Sequence, residues 1–300
     1  MKVVERVINR SEEVVYQELG RIADDNGLRV LSKTRMSDVI DKGRKHLSQR
    51  VLDYFTRAHF DFVVLGPNFQ PLMVVEYDGP MHADARQMER DRIKNDLCRE
   101  AGLGMLRIND RHVTKLYRGM TVLRWIVEVT ELAKDFETAQ ISGQIPLDEP
   151  FDPASFVSSG KTSFPYWLSA PATRAIHAFD KELGADARFG WSSFTGRDGE
   201  DTAGRLSYLW FNGQVLWAIT AVRRQDLDFP HYDLLSEIDG CELGERLTAY
   251  RRGQLRPSTS SAFRRVFDRF RTRYDPHPSH SMGESPLDFV WDPVSGIEMR

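Results

Sequence analysis

PLMVVEYDGPMH, residues 71–82, poses the question on which the fold turns. An apolar run with strand character is interrupted by two carboxylates, Glu76 and Asp78, and a glycine and a histidine follow at once. Side chains alternate along a strand, so Glu76 and Asp78 point the same way, away from Val75 and Tyr77. Taking an ionised carboxylate out of water costs several kcal/mol unless a cation or hydrogen bonds compensate it. The pattern therefore calls for a compensating partner.

Working outward, HFDFVVL (59–65) reads as the preceding strand, and Gly66, Pro67 and Asn68 turn the chain between the two. GLRVLSKT (27–34) alternates and reads as a strand before that. SEEVVYQELGRIADD (11–25) is helical: Ser11 can cap it, acids fill its first turn, and Val15, Leu19 and Ile22 line one face. The segment 35–57 is mixed, with helical character in HLSQRVLDYFTRA. DARQMERDRIKNDLCREAG (84–102) is a helix ending in glycine, GLGMLRIN (102–109) a fourth strand, and TVLRWIVEVTELAKDFE (121–137) a further helix. Helix, three strands, helix, strand predicts an α/β fold: an αβββαβ core with a mixed sheet flanked by helices, spanning residues 1–137.

Residues 138–165 are rich in Pro, Ser, Gly and Asp and read as a linker. Beyond it, 166–275 reads as a smaller α+β accessory domain. Its hairpin, 204–222, is marked by Asn212-Gly213, the strongest short hairpin signal. Helical segments follow near 231–252 and 258–274, and 276–300 reads as an irregular tail. Between 246 and 273 nine arginines face a single acid, Asp268, with aromatics interleaved. That run is either a DNA-facing or partner-facing surface or a solvated face over an aromatic core.

The chain of 300 residues has a formal net charge of −3, so nucleic-acid binding requires a local basic patch. Cys98 and Cys241 lie far apart, which fits neither a disulfide framework nor a zinc finger. No apolar stretch approaches the ~18 residues of a membrane span. MKVVERVINRSEEV, at the start, has no signal-peptide core. These features predict a cytoplasmic protein with no membrane partner.

If strands 59–65 and 71–79 pair, Asp61 comes close to Glu76. Three converging carboxylates, Asp61, Glu76 and Asp78, repel one another without a cation, and Mg²⁺ or Mn²⁺ favours oxygen ligands of this kind. On the following helix Gln87, Asp91 and Lys94 form a polar stripe along one edge of the buried face. A metal, acids, a lysine and a histidine are the parts for attacking a phosphodiester. Arg107, beside the site, either contacts phosphate or holds a carboxylate in place. Plainer readings stand beside these: Asp78-Gly79 as a turn, and Asp91 with Lys94 as a surface ion pair worth about 0.3–0.5 kcal/mol.

The run FDFVV…PLMVVEYDGPMH…Q…RDRIKNDLCREAGLGMLRI resembles a bacterial branch of the PD-(D/E)xK, restriction-endonuclease-like nuclease superfamily. That branch, very-short-patch-repair-like in kind, is marked by an aspartate, then E-x-D-G-x-x-H, R-D-x-x-K and L-R-I. The resemblance covers about residues 11–112. It implies a restriction-endonuclease-like core and Mg²⁺- or Mn²⁺-dependent hydrolysis of DNA. It also implies metal binding by Asp61 and Glu76 with help from a first-helix acid, Glu13, and a role for His82 in activating water or supporting the site. The superfamily's lysine normally stands two residues after the glutamate, where this chain has Asp78. Related branches supply a lysine from the next helix, where Lys94 stands. Catalysis is thus assigned to Asp61, Glu76, Asp78, His82 and Lys94, and substrate binding to Gln87 and Arg107. The rivals are a degenerate nuclease fold that binds nucleic acid or protein, and a glycosidase using the same carboxylates.

Overall fold

The computed structural model describes residues 3–79, 85–157, 162–184, 187–196, 202–282, 290–292 and 296–298. It is a mixed α/β structure that divides into two compact units: 1–149 with 225–229, and 150–224 with 230–300.

The first unit runs α1 (Arg10–Asn26), β1 (Arg29–Arg35), α2 (Met36–Val39), α3 (Gln49–Arg57), β2 (His59–Leu65), β3 (Pro71–Tyr77), α4 (Ala85–Glu100), β4 (Gly104–Ile108), α5 (Arg111–Thr114), the short ladder β5 (Leu116–Tyr117) with β6 (Met120–Thr121), and α6 (Val122–Ile141). Its four-stranded sheet has the order β1-β2-β3-β4. The first three strands are antiparallel, and β4 joins β3 in parallel after the crossover through α4. The N-cap of α1 is Asn9 rather than Ser11: the Asn9 side chain accepts from the Glu12 N–H, and the Glu12 carboxylate accepts from the Asn9 N–H, so both free amides are satisfied at once. The cap thus lies two residues before Ser11, and the helix begins at Arg10, one residue before the segment 11–25 that reads as helical.

Alternation sets the two faces of the sheet. Val63, Leu65 and Val74 face α3 and α4, packing with Phe55, Leu97 and Cys98. Phe62 turns the other way and stacks on Tyr16 of α1 at 6.2 Å. Asp61 and Glu76 share parity with the first set, which is why they break the apolar runs on the face that α4 covers. The free edge of β4 is capped by the segment 225–229: the Met105 N–H donates to the Asp226 carbonyl at 2.7 Å and the Arg107 N–H to Gln225 Oε1 at 2.8 Å. Gly104 permits this approach, since a Cβ there would sit 2.5 Å from Leu227 Cδ1.

The second unit holds α7 (Ala170–Leu183), β7 (Ala187–Gly196), β8 (Thr202–Phe211), β9 (Gln214–Arg223), α8 (His231–Arg251), β10 (Ser258–Thr259), α9 (Ser260–Arg273) and β11 (Tyr274–Met282) in a five-stranded sheet ordered β10-β9-β8-β7-β11. The hairpin turn has Asn212 at φ 48° and Gly213 at φ 72°, the left-handed pair that a tight two-residue turn requires. Helices α7 and α8 cover one face through Ile176, Phe179, Leu243 and Leu247. Phe263, Phe267 and Phe270 of α9 pack on the other with Leu206 and Tyr208, leaving Arg264, Arg265 and Arg269 outward.

Two boundaries differ from the sequence reading. Helix α6 runs through Ile141 into the segment read as linker, because no breaker precedes Ser142-Gly143, and Gly143 takes φ 76°. The tail was expected to be irregular, yet its start forms β11 and Val290–Asp292 pairs with Gly296–Glu298. Pro276 and Pro278 argued against a strand, but β11 is a sheet edge, where a missing N–H costs no ladder bond. Among the described residues no helix is long and apolar enough to cross a membrane.

Candidate active site

The strand registers place four side chains in one row across the sheet. Ser32 opposite Phe62 and Thr34 opposite Phe60 bring Lys33 level with Asp61. Phe62 opposite Val75 brings Asp61 level with Glu76, and Glu76 pairs with Arg107. The row reads Lys33, Asp61, Glu76, Arg107: two anions in the middle and a cation at each end.

Contacts follow that order. Lys33 Nζ lies 2.6 Å from Asp61 Oδ1 and 3.2 Å from Glu12 Oε1. Asp61 Oδ2 accepts from the Tyr77 N–H at 3.0 Å, and the Asp61 N–H donates to Glu76 Oε1 at 3.3 Å. The crossover helix lowers Lys94 onto the row, where Nζ donates to Glu76 Oε2 at 2.7 Å and to the His59 carbonyl at 2.9 Å. Arg107 fans out to Asp78 Oδ1 at 3.1 Å, Asp91 Oδ1 at 3.2 Å and Asn95 Oδ1 at 2.9 Å. With every carboxylate ionised, this network holds five anions (Glu12, Asp61, Glu76, Asp78, Asp91) against three cations (Lys33, Lys94, Arg107).

The row opens into a cleft of about 560 Å³ that α3 and α4 wall with Asp53, Tyr54, Arg57, Gln87, Arg90 and Asp91. Burial pushes the Glu76 carboxyl above the ordinary range, and Lys94 pulls the other way. Burial, then the Glu76 charge, pushes the Tyr54 phenol up to about 12, so it stays a neutral O–H near pH 7. Burial likewise pushes the Cys98 thiol to about 12, an inert core group rather than a nucleophile.

The structure brings Asp61, Glu76, Asp78, Gln87, Lys94 and Arg107 to one cleft. Gln87 sits on its exposed side and donates to Asp91. Arg107 holds carboxylates in place, one of the two roles the sequence left open. Glu13 is not part of the group. It pairs with Arg6, half-exposed, while Glu12, one residue earlier and 100° round the helix, reaches Lys33. His82 lies outside the described residues. Sequence reasoning passed over Lys33, Tyr54, Arg57 and Arg90. Lys33 in particular read as one polar residue of an alternating strand, with nothing to flag its backbone at φ 51°.

Mg²⁺ typically binds through one or two carboxylates and keeps several waters. Asp61 and Glu76, hard oxygen donors on adjacent strands, fit that requirement. Among the described residues no group of three or more His, Cys, Asp or Glu side chains gathers as a metal site.

Fold and cleft together define a mixed α/β domain with a charged cleft at the parallel crossover. A family model described as a protein of unknown function (DUF2726) matches residues 4–121, all within the first unit. Neither the curated proteins nor the solved structures contain a match to the chain.

Proposed function

We propose that the first unit is a metal-dependent nuclease of restriction-endonuclease-like fold that hydrolyses DNA phosphodiesters in the cytoplasm, in repair, mobile-element processing or phage defence. The observation that carries this reading is the meeting of Asp61 and Glu76 at the strand row with Lys94, delivered by the crossover helix, 2.7 Å from Glu76. The charge of the cleft lining supports it further: Asp53, Asp61, Glu76, Asp78 and Asp91 outnumber Arg57, Arg90, Lys94 and Arg107 by one. An anionic backbone would be repelled from such a cleft until a divalent cation neutralised it.

Asp61 and Glu76 would hold Mg²⁺ or Mn²⁺, which when bound lowers the pKa of water and neutralises phosphate charge. Lys94 lines the same cleft and would stabilise the negative charge that builds on the phosphoryl oxygens. Arg107 fixes Asp78 and Asp91 at the cleft wall, and Gln87, Arg57 and Arg90 line the same cleft, where they would face a DNA strand. The second unit would bind substrate or a protein partner.

A second reading, a degenerate fold that binds nucleic acid or protein without cutting, draws on one observation: each central carboxylate already has an ammonium within 2.7 Å. A cleavage assay on linear, nicked, circular and single-stranded DNA, with and without Mg²⁺, decides between them. Metal-dependent cutting that Glu76→Gln abolishes supports the nuclease; binding without cutting under every condition supports the rival.

A further inference from the structure

Lys33 is the one member of the row whose backbone is strained. Its φ of 51° lies in the left-handed region, which is unfavourable for a residue with a Cβ and falls here inside a strand. Glycine would take that conformation freely and asparagine with little cost. The side chain accounts for the lysine: its ammonium bridges two carboxylates, Asp61 at 2.6 Å and Glu12 at 3.2 Å.

The two carboxylates differ in what else holds them. Asp61 Oδ2 accepts from the Tyr77 N–H and Oδ1 from the Lys33 ammonium, so a cation that takes Oδ1 must displace that ammonium. Glu12 is anchored by its reciprocal cap with Asn9, which donates to both of its oxygens. Glu12 thus offers a rigid second berth beside the first.

We propose that Lys33 is a positioning residue that holds Asp61 in competition with a divalent cation, and moves onto Glu12 when the cation arrives. The inference rests on the metal-site reading of Asp61. It offsets part of the charge on Asp61 without metal, which limits repulsion between that carboxylate and Glu76, and it sets metal affinity by the balance between the two berths. An opposite charge at this range lowers a carboxylate's proton affinity by about one to three orders of magnitude, and a metal cation meets the same opposing charge.

The test is isothermal titration of the full chain with Mn²⁺ alone, without nucleic acid. Lys33→Asn keeps a residue that tolerates the left-handed backbone and removes the competitor, so Mn²⁺ should bind about tenfold tighter or more. Glu12→Gln keeps a capping-box residue but weakens the second berth, so Mn²⁺ should bind about tenfold more weakly. Asp61→Asn should abolish binding in both backgrounds. Equal or weaker affinity in Lys33→Asn, with Mn²⁺ still bound by the parent, overturns the inference and leaves the metal site standing. Binding by Lys33→Asn but not by the parent overturns it, since Lys33 would then block the cation rather than yield to it. No binding by any of them overturns both. Should Lys33→Asn fail to fold, Glu12→Gln decides, and an unchanged or tighter Kd there refutes the two-berth balance.

Discussion

Lys94 and Glu76 meet at 2.7 Å with less than a tenth of either side chain open to water. The pair answers the puzzle set by a carboxylate in an apolar strand: the compensating cation comes from 18 residues further on, carried back over the sheet by the crossover helix. A buried pair of this kind is weak evidence for stability as a whole, but breaking it is costly. Lys94→Met alone should destabilise the first unit by about 3–5 kcal/mol, because Glu76 is left buried without its partner. The double variant Glu76→Gln, Lys94→Met should recover most of that loss. Urea denaturation of all four members of the cycle measures the coupling, and additive losses would mean the pair contributes little.

If the nuclease reading holds, Lys94 and Arg107 divide the cationic work. Lys94→Gln should cut single-turnover cleavage by about a hundredfold or more, the scale of losing one electrostatic contact to a transition state. DNA affinity measured in Ca²⁺ should change far less. Arg107 spends its donors on Asp78, Asp91 and Asn95, so Arg107→Ala should loosen the cleft wall and weaken DNA binding and rate together. Parent-like cleavage by Lys94→Gln beside a dead Arg107→Ala would reverse these roles.

A bound cation relieves repulsion among Asp61, Glu76 and Asp78, so Mg²⁺ or Mn²⁺ should raise the Tm of the first unit. Glu76→Gln, nearly the same shape, should remove the increase without unfolding the chain. Differential scanning calorimetry with and without metal reads both. A metal response that survives in Glu76→Gln places the ion elsewhere.

The sequence showed a good deal of this site, for identifiable reasons. Acids at matching parity in two apolar strands fixed the face and the row, and helical spacing put Lys94 over it. What escaped was set by local geometry that periodicity does not encode. Glu12 and Glu13 are equally acidic, and the cap at Asn9 chooses between them. Lys33 is a matter of one φ angle. In the second unit, β7 passed unnoticed and β11 was hidden by its prolines, since edge-strand tolerance depends on neighbours that the sequence does not reveal.

The second unit carries its own prediction, because α8 buries two acids, Asp239 beside strand residues and Glu237 beside Ser169. Asp239 is fully buried, with Arg205 Nε 3.5 Å from Oδ2 and the hydroxyls of Ser207 and Thr220 beside it without a well-formed hydrogen bond. Burial pushes its carboxyl up to about 7, against the opposing pull of Arg205. Glu237, which accepts from the Ser169 N–H at 2.6 Å, is pushed by burial to about 7 as well. A raised carboxyl binds its proton more tightly in the folded chain than in the unfolded one. Below the ordinary carboxylate range both states are protonated and stability does not depend on these groups. Between that range and about pH 7 the unfolded chain ionises first, so stability falls as pH rises, and the loss levels off above. Tm should therefore drop between about pH 5 and about pH 8, and Asp239→Asn, which has nothing to ionise, should shrink the drop. Thermal unfolding followed by the near-ultraviolet signal at both pH values measures it. An undiminished drop in Asp239→Asn would assign the pH dependence to other groups, Glu237 first among them.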